Sequence, residues 1–421
     1  MSNLQRSFAK AKLAGLPLDP PLPHSTFEEQ EVTLEDPDDD LKPLPDQKFT
    51  DDDSSSASSA SSASSTGTIR PSPTNRLFAR PKGPPSGRRP LDPLLWSDFF
   101  DQELYLDNPR AHEIVTHHVY LTLPLEKGPL FVTHHGAGSS GLSFAMLTSE
   151  LRKALPNSGV LSLDARGHGE TTVKNTGQFT MEGPLNLSLE ILSQDLLDVI
   201  RLTQKKLSWS ELPDMVFLGH SLGGAVTTDL ASSGKMGDVL LGYAIFDVVE
   251  GSAIDALQSM QSYLSTRPRG FPSLSAGIEW HTRSRTLRNT TSARVSVPSL
   301  LCQENLPGST SGDGRPWTWR TDLAATQPYW EGWFVGLSKK FLEAKGGKLL
   351  LLAGTDRLDK ELMIGQMQGK YQLQVFPEAG HFIHEDQAEK TAMVVADFYR
   401  RNDRSALILP PKVGDLLRQK S

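Results

Sequence analysis

Apolar residues in this chain follow two kinds of pattern. Short apolar runs read as strands: Leu130-Phe131-Val132, Val160-Leu161-Ser162-Leu163, Met215 to Leu218, Tyr243 to Phe246 and Leu349 to Leu352, with Leu373-Gln374-Val375-Phe376 as the last strand. Between the runs, apolar positions recur at steps of three and four. Leu189, Leu192, Leu196 and Val199/Ile200 share one helical face, and Ala392, Val395, Ala396 and Tyr399 repeat the pattern near the end. Strands without polar alternation are buried on both sides. Alternating with amphipathic helices, they predict an α/β chain with a mostly parallel sheet and helices on both faces. Such sheets collect their sites at the carboxyl ends of the strands.

Two regions depart from this rhythm. Residues 1–90 hold an acidic, proline-bearing stretch (Glu28 to Asp53), a Ser/Ala tract (Ser54 to Ser65) and a basic, proline-rich stretch (Arg70 to Pro90). None offers enough apolar surface to offset chain entropy, so a disordered tail is expected there, with order starting near Pro93-Leu94-Leu95-Trp96. Residues 251–345 carry five of the seven tryptophans, Trp280, Trp317, Trp319, Trp330 and Trp333, and read as a helical lid inserted into the core. Those rings serve either a substrate-facing lid or a small subdomain core. The expected order is a tail (1–90), a first core part (91–250), the lid (251–345), a second core part (346–403) and a C-terminal tail (404–421).

Composition narrows the function classes. The chain has 421 residues, only 37% of them apolar, and a net charge of -7, which disfavours nucleic acid as the main partner. The single cysteine, Cys302, excludes internal disulfides and suits a reducing compartment, cytoplasmic or nuclear. No apolar run approaches the ~18 residues of a membrane span, and no signal-peptide apolar stretch follows Met1.

The candidate chemistry lies where the strand runs end. Gly219-His220-Ser221-Leu222-Gly223 sits between the Met215 run and the small residues Gly224-Ala225-Val226. A strand–Gly-x-Ser-x-Gly–helix order places a serine on a tight turn, with its hydroxyl raised off the sheet, so Ser221 is the candidate nucleophile. Acyl transfer also needs N–H donors for the developing oxyanion. Leu222, directly after the nucleophile, is one, and Ala137 or Gly136 in His134-His135-Gly136-Ala137-Gly138 is the other. The paired histidines have no partner cluster at metal-ligand spacing, so neither a metal nor an organic cofactor is expected. Asp164, Arg166 and His168, in the turn after the Val160 run, read as a structural polar network. The general base is His381, preceded by Gly380 and following the last strand, with His384 as competitor. The acid that orients it is Asp247 or Asp356. Each follows a strand run and lies between Ser221 and His381, so chain order does not separate them.

Longer stretches resemble one family of α/β-hydrolases, the protein phosphatase methylesterases. They are Asp247 to Leu257, Leu349 to Leu362 with Gly354-Thr355-Asp356-Arg357-Leu358-Asp359-Lys360, Ile364 to Lys370, Arg294-Val295-Ser296 and Thr318-Trp319-Arg320. The resemblance spans about residues 93 to 402. It leaves the N-terminal segment and Leu407 to Ser421 unmatched, and Gly308 to Gly314 is short where animal relatives carry a longer acidic loop. It implies the α/β-hydrolase fold and a serine esterase that demethylates the C-terminal leucine of the type 2A phosphatase catalytic subunit, its protein partner. It also implies Asp247 as the acid beside Ser221 and His381, and an active site that rearranges when the partner docks.

Overall fold

A computed structural model describes residues 91–176, 185–303, 315–354 and 358–405. The expected tail over 1–90, the segment 308–314, Asp356 and residues 406–421 lie outside these ranges.

The core is a nine-stranded sheet. Its strands are β1 (Gln102–Pro109), β2 (Glu113–Thr122), β3 (Leu130–His134), β4 (Gly159–Leu163), β5 (Thr172–Asn175), β6 (Met215–His220), β7 (Leu240–Phe246), β11 (Gly347–Leu352) and β12 (Gln372–Val375). They run in the order β1-β2-β4-β3-β6-β7-β11-β12, with β5 beside β2. From β4 to β12 every pairing is parallel, whereas β2 meets β1, β4 and β5 antiparallel. The helices are α1 (Ala145–Ala154), α2 (Leu189–Lys206), α3 (Leu222–Ser232), α4 (Glu250–Thr266), α5 (Leu274–Arg283), α6 (Thr290–Ser296), α7 (Trp330–Phe334), α8 (Leu337–Glu343), α9 (Lys360–Met367), α10 (Ile383–Asp386) and α11 (Ala388–Asn402).

Strand alternation divides the core into two layers. Leu130, Val132, Met215, Phe217, Tyr243 and Ile245 face α2, α3 and α8. Phe131, Val216, Leu218, Ala244 and Phe246 face α1 and α11. Each of these side chains is nearly inaccessible to solvent, and burying one of this size is worth about 1.5–3 kcal/mol. The periodic faces read from the sequence are the buried faces: Leu189, Leu192, Leu196, Val199 and Ile200 in α2, and Ala392, Val395 and Ala396 in α11, where Tyr399 is only half-buried.

Two findings go beyond the pattern. Strands β1 and β2 were not legible as apolar runs, because β2 places His117 and His118 at its centre. Both rings are fully buried, and His118 is held by Asp164 and Glu103. The insertion is also not purely helical. Strands β8 (Gly270–Phe271), β9 (Leu301–Gln303) and β10 (Trp317–Trp319) form a second antiparallel sheet in the order β8-β10-β9. Strands of two or three residues are too short to show a period. This sheet packs with α5 and α6 around Phe271, Ile278, Leu287, Ala293, Val297 and Leu301.

Candidate active site

The site is built on the turn from β6 to α3. Ser221 stands between them at φ 52° and ψ -119°, a left-handed backbone that costs a non-glycine residue about 1–3 kcal/mol. The surroundings enforce it. Ser221 N–H donates to Phe246 O at 3.1 Å, and Gly224 N–H donates to Ser221 O at 2.8 Å. The flanking glycines leave no alternative. A Cβ at Gly223 would overlap the carbonyl of His134, and one at Gly219 would overlap the carbonyl of Gly223. The motif thus records how closely the helix start approaches β3.

The loop after β3 lies against the nucleophile. A Cβ at Gly136 would come 3.1 Å from Ser221 Cβ and 2.9 Å from His220 Nδ1. Gly138 N–H donates to His168 Nε2 at 2.9 Å and Ser139 N–H to Gly136 O at 3.1 Å, so both are already engaged. Gly136 and Ala137 remain as the loop's donor candidates. Ala137 and Leu222 line the same cavity as Ser221, and Leu222 N–H belongs to the first helical turn, which has no intrahelical acceptor. The paired histidines are accounted for without a metal. His134 Nδ1–H donates to His135 O, His135 Nδ1–H donates to Gly136 O, and His135 Nε2 accepts from Ala165 N–H. Burial lowers both rings' pKa, that of His134 to about 4. Among the described residues, no three His, Cys, Asp or Glu side chains converge as a metal site.

His381 lies on the loop beyond β12, and its Nδ1–H donates to Asp247 Oδ2 at 2.8 Å. Asp247 follows β7 with a positive φ of 51°. Its N–H donates to Leu351 O at 2.8 Å, and its Oδ1 accepts from Ala353 N–H at 2.9 Å. The carboxylate is buried whereas the His381 ring is half-exposed to the cavity. Asp356, the other acid considered, lies outside the described residues. His384 does not reach the site in this way. It is fully buried, stacked on Phe144 at 4.4 Å, and neither ring nitrogen has a hydrogen-bond partner among the described residues. Among the described residues no hydrogen bond joins Ser221 Oγ to His381, and nucleophile–base contacts are often loose before substrate binds.

Two residues not singled out in the sequence hold the His381 loop. His220 Nε2–H donates to His381 O at 2.9 Å, tying the elbow directly to that loop. Asp386 Oδ2 accepts Gly380 N–H and its Oδ1 accepts Arg288 N–H, both at 2.7 Å. The only available signal for His220 was its place inside the motif. For Asp386 the sequence held none, because Arg288 is 98 residues away.

Asp164, Arg166 and His168 form the expected polar network. Asp164 accepts from His118 Nδ1–H and from the N–H groups of Gly141 and Glu170. Arg166 is buried between Asp195 and Glu113, with two hydrogen bonds to each carboxylate. His168 braces the Gly136–Gly138 loop.

Above Ser221 and His381 opens a cavity of about 670 Å³, walled by the insertion. Trp280, Trp319, Trp330 and Trp333 line it, while Trp317 packs on the small insertion core. Four of the five rings thus face the cavity, and Trp330 and Trp333 are buried in the main core as well. Glu385 also lines the cavity. Burial pushes its carboxyl up to about 8, and Ser292 Oγ–H donates to it at 2.7 Å.

A serine on a strand–helix elbow, a buried aspartate on a histidine and paired N–H candidates suit acyl transfer. The comparisons agree with that chemistry. A family model described as "Alpha/beta hydrolase family" matches residues 130–394. A solved E-2-(acetamidomethylene)succinate hydrolase shares the fold at TM-score 0.52 and 19% identity, over 68% of this chain and 96% of that one. Among curated proteins, "Protein phosphatase methylesterase 1" of Aspergillus oryzae is 59% identical over 99% of this chain and 93% of its own. That of Neurospora crassa is 57% identical over 100% and 99%, and that of Schizosaccharomyces pombe 45% identical over 76% and 88%. The first two also match the N-terminal segment that the sequence words left without a counterpart. The chain belongs to the protein phosphatase methylesterase family, carboxylic ester hydrolases on the α/β-hydrolase fold.

Proposed function

We propose that this chain hydrolyses the methyl ester on the C-terminal leucine of the type 2A phosphatase catalytic subunit, using Ser221, His381 and Asp247. The observation that carries the reading is the Asp247–His381 hydrogen bond, at 2.8 Å, opening onto the cavity that also holds the Ser221 elbow. The names of the relatives support phosphatase as substrate; the leucine ester and the type 2A subunit are our finer reading.

His381 Nε2 takes the hydroxyl proton as Ser221 Oγ attacks the ester carbonyl. Asp247 holds the Nδ1–H tautomer and stabilises the imidazolium that forms. The oxyanion rests on the N–H groups of Leu222 and Ala137. The C–O bond to the methoxy group breaks, and His381 returns the proton, releasing methanol. Water then attacks the acyl-enzyme by the same route, freeing the carboxylate and restoring Ser221. The insertion over 251–345 acts as a lid over this site, within an intracellular, reducing compartment that suits the free thiol of Cys302.

The test is methanol release from purified methylated phosphatase. Wild-type protein removes the methyl group. Ser221→Ala lowers kcat by about 10³–10⁶-fold and still binds the phosphatase. Near-normal release by that variant sinks the mechanism. Hydrolysis of small esters with no action on phosphatase favours a different ester substrate. Binding without fluorophosphonate labelling of Ser221 favours a protein that sequesters phosphatase.

A further inference from the structure

The cavity above Ser221 holds a cation that the proposed chemistry does not use. Arg267 ends α4, and its guanidinium carbon sits 3.6 Å from the centroid of the Trp319 ring. That ring is held beneath it, because Trp319 Nε1–H donates to Pro268 O at 2.7 Å. Trp280 and Phe271 brace the ring from the side at 5.9 and 5.5 Å between centroids. Among the described residues no carboxylate pairs with Arg267, and burial lowers its pKa. A partly buried cation without a counter-ion is costly unless a ligand supplies one. A guanidinium held over an indole face still has N–H donors with which to take a bidentate anion.

Two further arginines stand at the cavity. Arg285 and Arg288 also line it, and Arg288 is partly engaged through the Glu378 carbonyl and Asp386. The acid in the wall, Glu385, is buried, its carboxyl pushed up by that burial, and it already accepts from Ser292 Oγ–H, while burial lowers the pKa of His220 and His281. Among the described residues lining the cavity, the accessible charged side chains are therefore arginines. A methyl ester is itself uncharged, so this charge has to be matched elsewhere on the substrate.

We infer that Arg267, seated on Trp319, is a specificity-determining residue that binds a carboxylate side chain of the substrate peptide upstream of its esterified terminus. The inference rests on the peptide-ester reading above and names the class of peptide: one with an aspartate or glutamate near its methylated C-terminus. A phosphorylated hydroxyl on the same peptide is the other source of a suitable anion, and the experiment separates the two.

Short synthetic peptide methyl esters carrying Asp, Asn or phosphoserine at the same upstream position are hydrolysed by the full chain, by Arg267→Gln and by Arg267→Lys. A small neutral ester serves as control, and kcat/KM is followed by methanol release. The wild type prefers the Asp peptide over the Asn peptide by about tenfold, the scale of one charge-assisted hydrogen bond. Arg267→Gln removes that preference by slowing the Asp peptide alone, with the Asn peptide and the neutral ester unchanged, and Arg267→Lys restores part of it. Equal wild-type rates on Asp and Asn, or an equal fall on all peptides in Arg267→Gln, overturn the inference. A preference confined to phosphoserine also overturns it, in favour of phosphate. If the neutral ester is cleaved but no peptide ester is, the peptide-ester reading fails and this inference with it. Intact peptide hydrolysis that ignores charge refutes the inference alone.

Discussion

Asp247 and His381 stand 134 residues apart in the chain and 2.8 Å apart in space. Each sits on a loop that its neighbours hold. Asp247 is fixed by Leu351 O and Ala353 N–H, and the His381 loop by His220 and Asp386. A triad acid acts by keeping its histidine in one tautomer and orientation, so its loss shows in kcat rather than in binding. Asp247→Asn is expected to lower kcat by about 10²–10⁴-fold with little change in KM. Asp356→Asn is expected to stay close to wild type. Steady-state methanol release from the two variants decides between the acids, and the opposite result would assign the role to Asp356.

The elbow tolerates no side chain at Gly223. A Cβ there meets the backbone of His134, which belongs to a fully buried strand and does not yield as a flexible side chain would. Gly223→Ala is expected to cost about 3 kcal/mol or more and to abolish esterase activity. Gly234→Ala is the control. That glycine has φ +69° but nothing within 4 Å of its Cβ position, so the change carries only the left-handed backbone cost of about 1 kcal/mol. Thermal unfolding of both variants separates steric overlap from conformational strain.

Glu385 links stability to pH. Its carboxyl is raised from 4.5 to about 8 by burial. Between those values the folded protein keeps a proton that the unfolded chain has lost, so this group lowers stability as pH rises through the window. Glu385→Gln removes the dependence. Its Tm is expected to match wild type near pH 5 and to exceed it by about 2–4 °C at pH 8. A constant Tm difference across that range would show that Glu385 is not the titrating group.

Histidines act in the opposite direction. His117, His134, His135, His168, His220, His281 and His384 are all lowered by burial, His384 to about 3. Below about pH 6.5 the unfolded chain binds protons that these rings refuse, so stability is lost as pH falls toward their folded values. His118 runs the other way, since its hydrogen bonds to Asp164 and Glu103 raise it despite burial. His384→Phe keeps the stack on Phe144 and removes two ring nitrogens that have no hydrogen-bond partner among the described residues. It is expected to gain about 1 kcal/mol at pH 5 and to retain esterase activity. Urea unfolding at pH 5 and pH 7, with an activity assay, checks both. Loss of catalysis at wild-type stability would return His384 to the role of base.

Much of this was present in the order of residues. The parallel strands β3, β4, β6, β7 and β11 appear as apolar runs, because a strand buried on both faces has few polar positions to interrupt it. The helices α2 and α11 appear in the spacing of their buried faces. Ser221 is legible because the turn that exposes it needs small residues within two positions of the nucleophile, a wholly local demand. Tertiary structure decided the rest. The histidines inside β2 hid that strand; the burial of His118 depends on Asp164 and Glu103, which come from other elements. The bonds of Asp247 to His381, of Asp386 to Gly380 and Arg288, and the stack of Arg267 on Trp319 join residues whose spacing in sequence carries no period. Local backbone geometry writes elements and tight turns into neighbouring residues. Which side chains meet across a sheet is set by how those elements pack, and that packing exists only once the chain has folded.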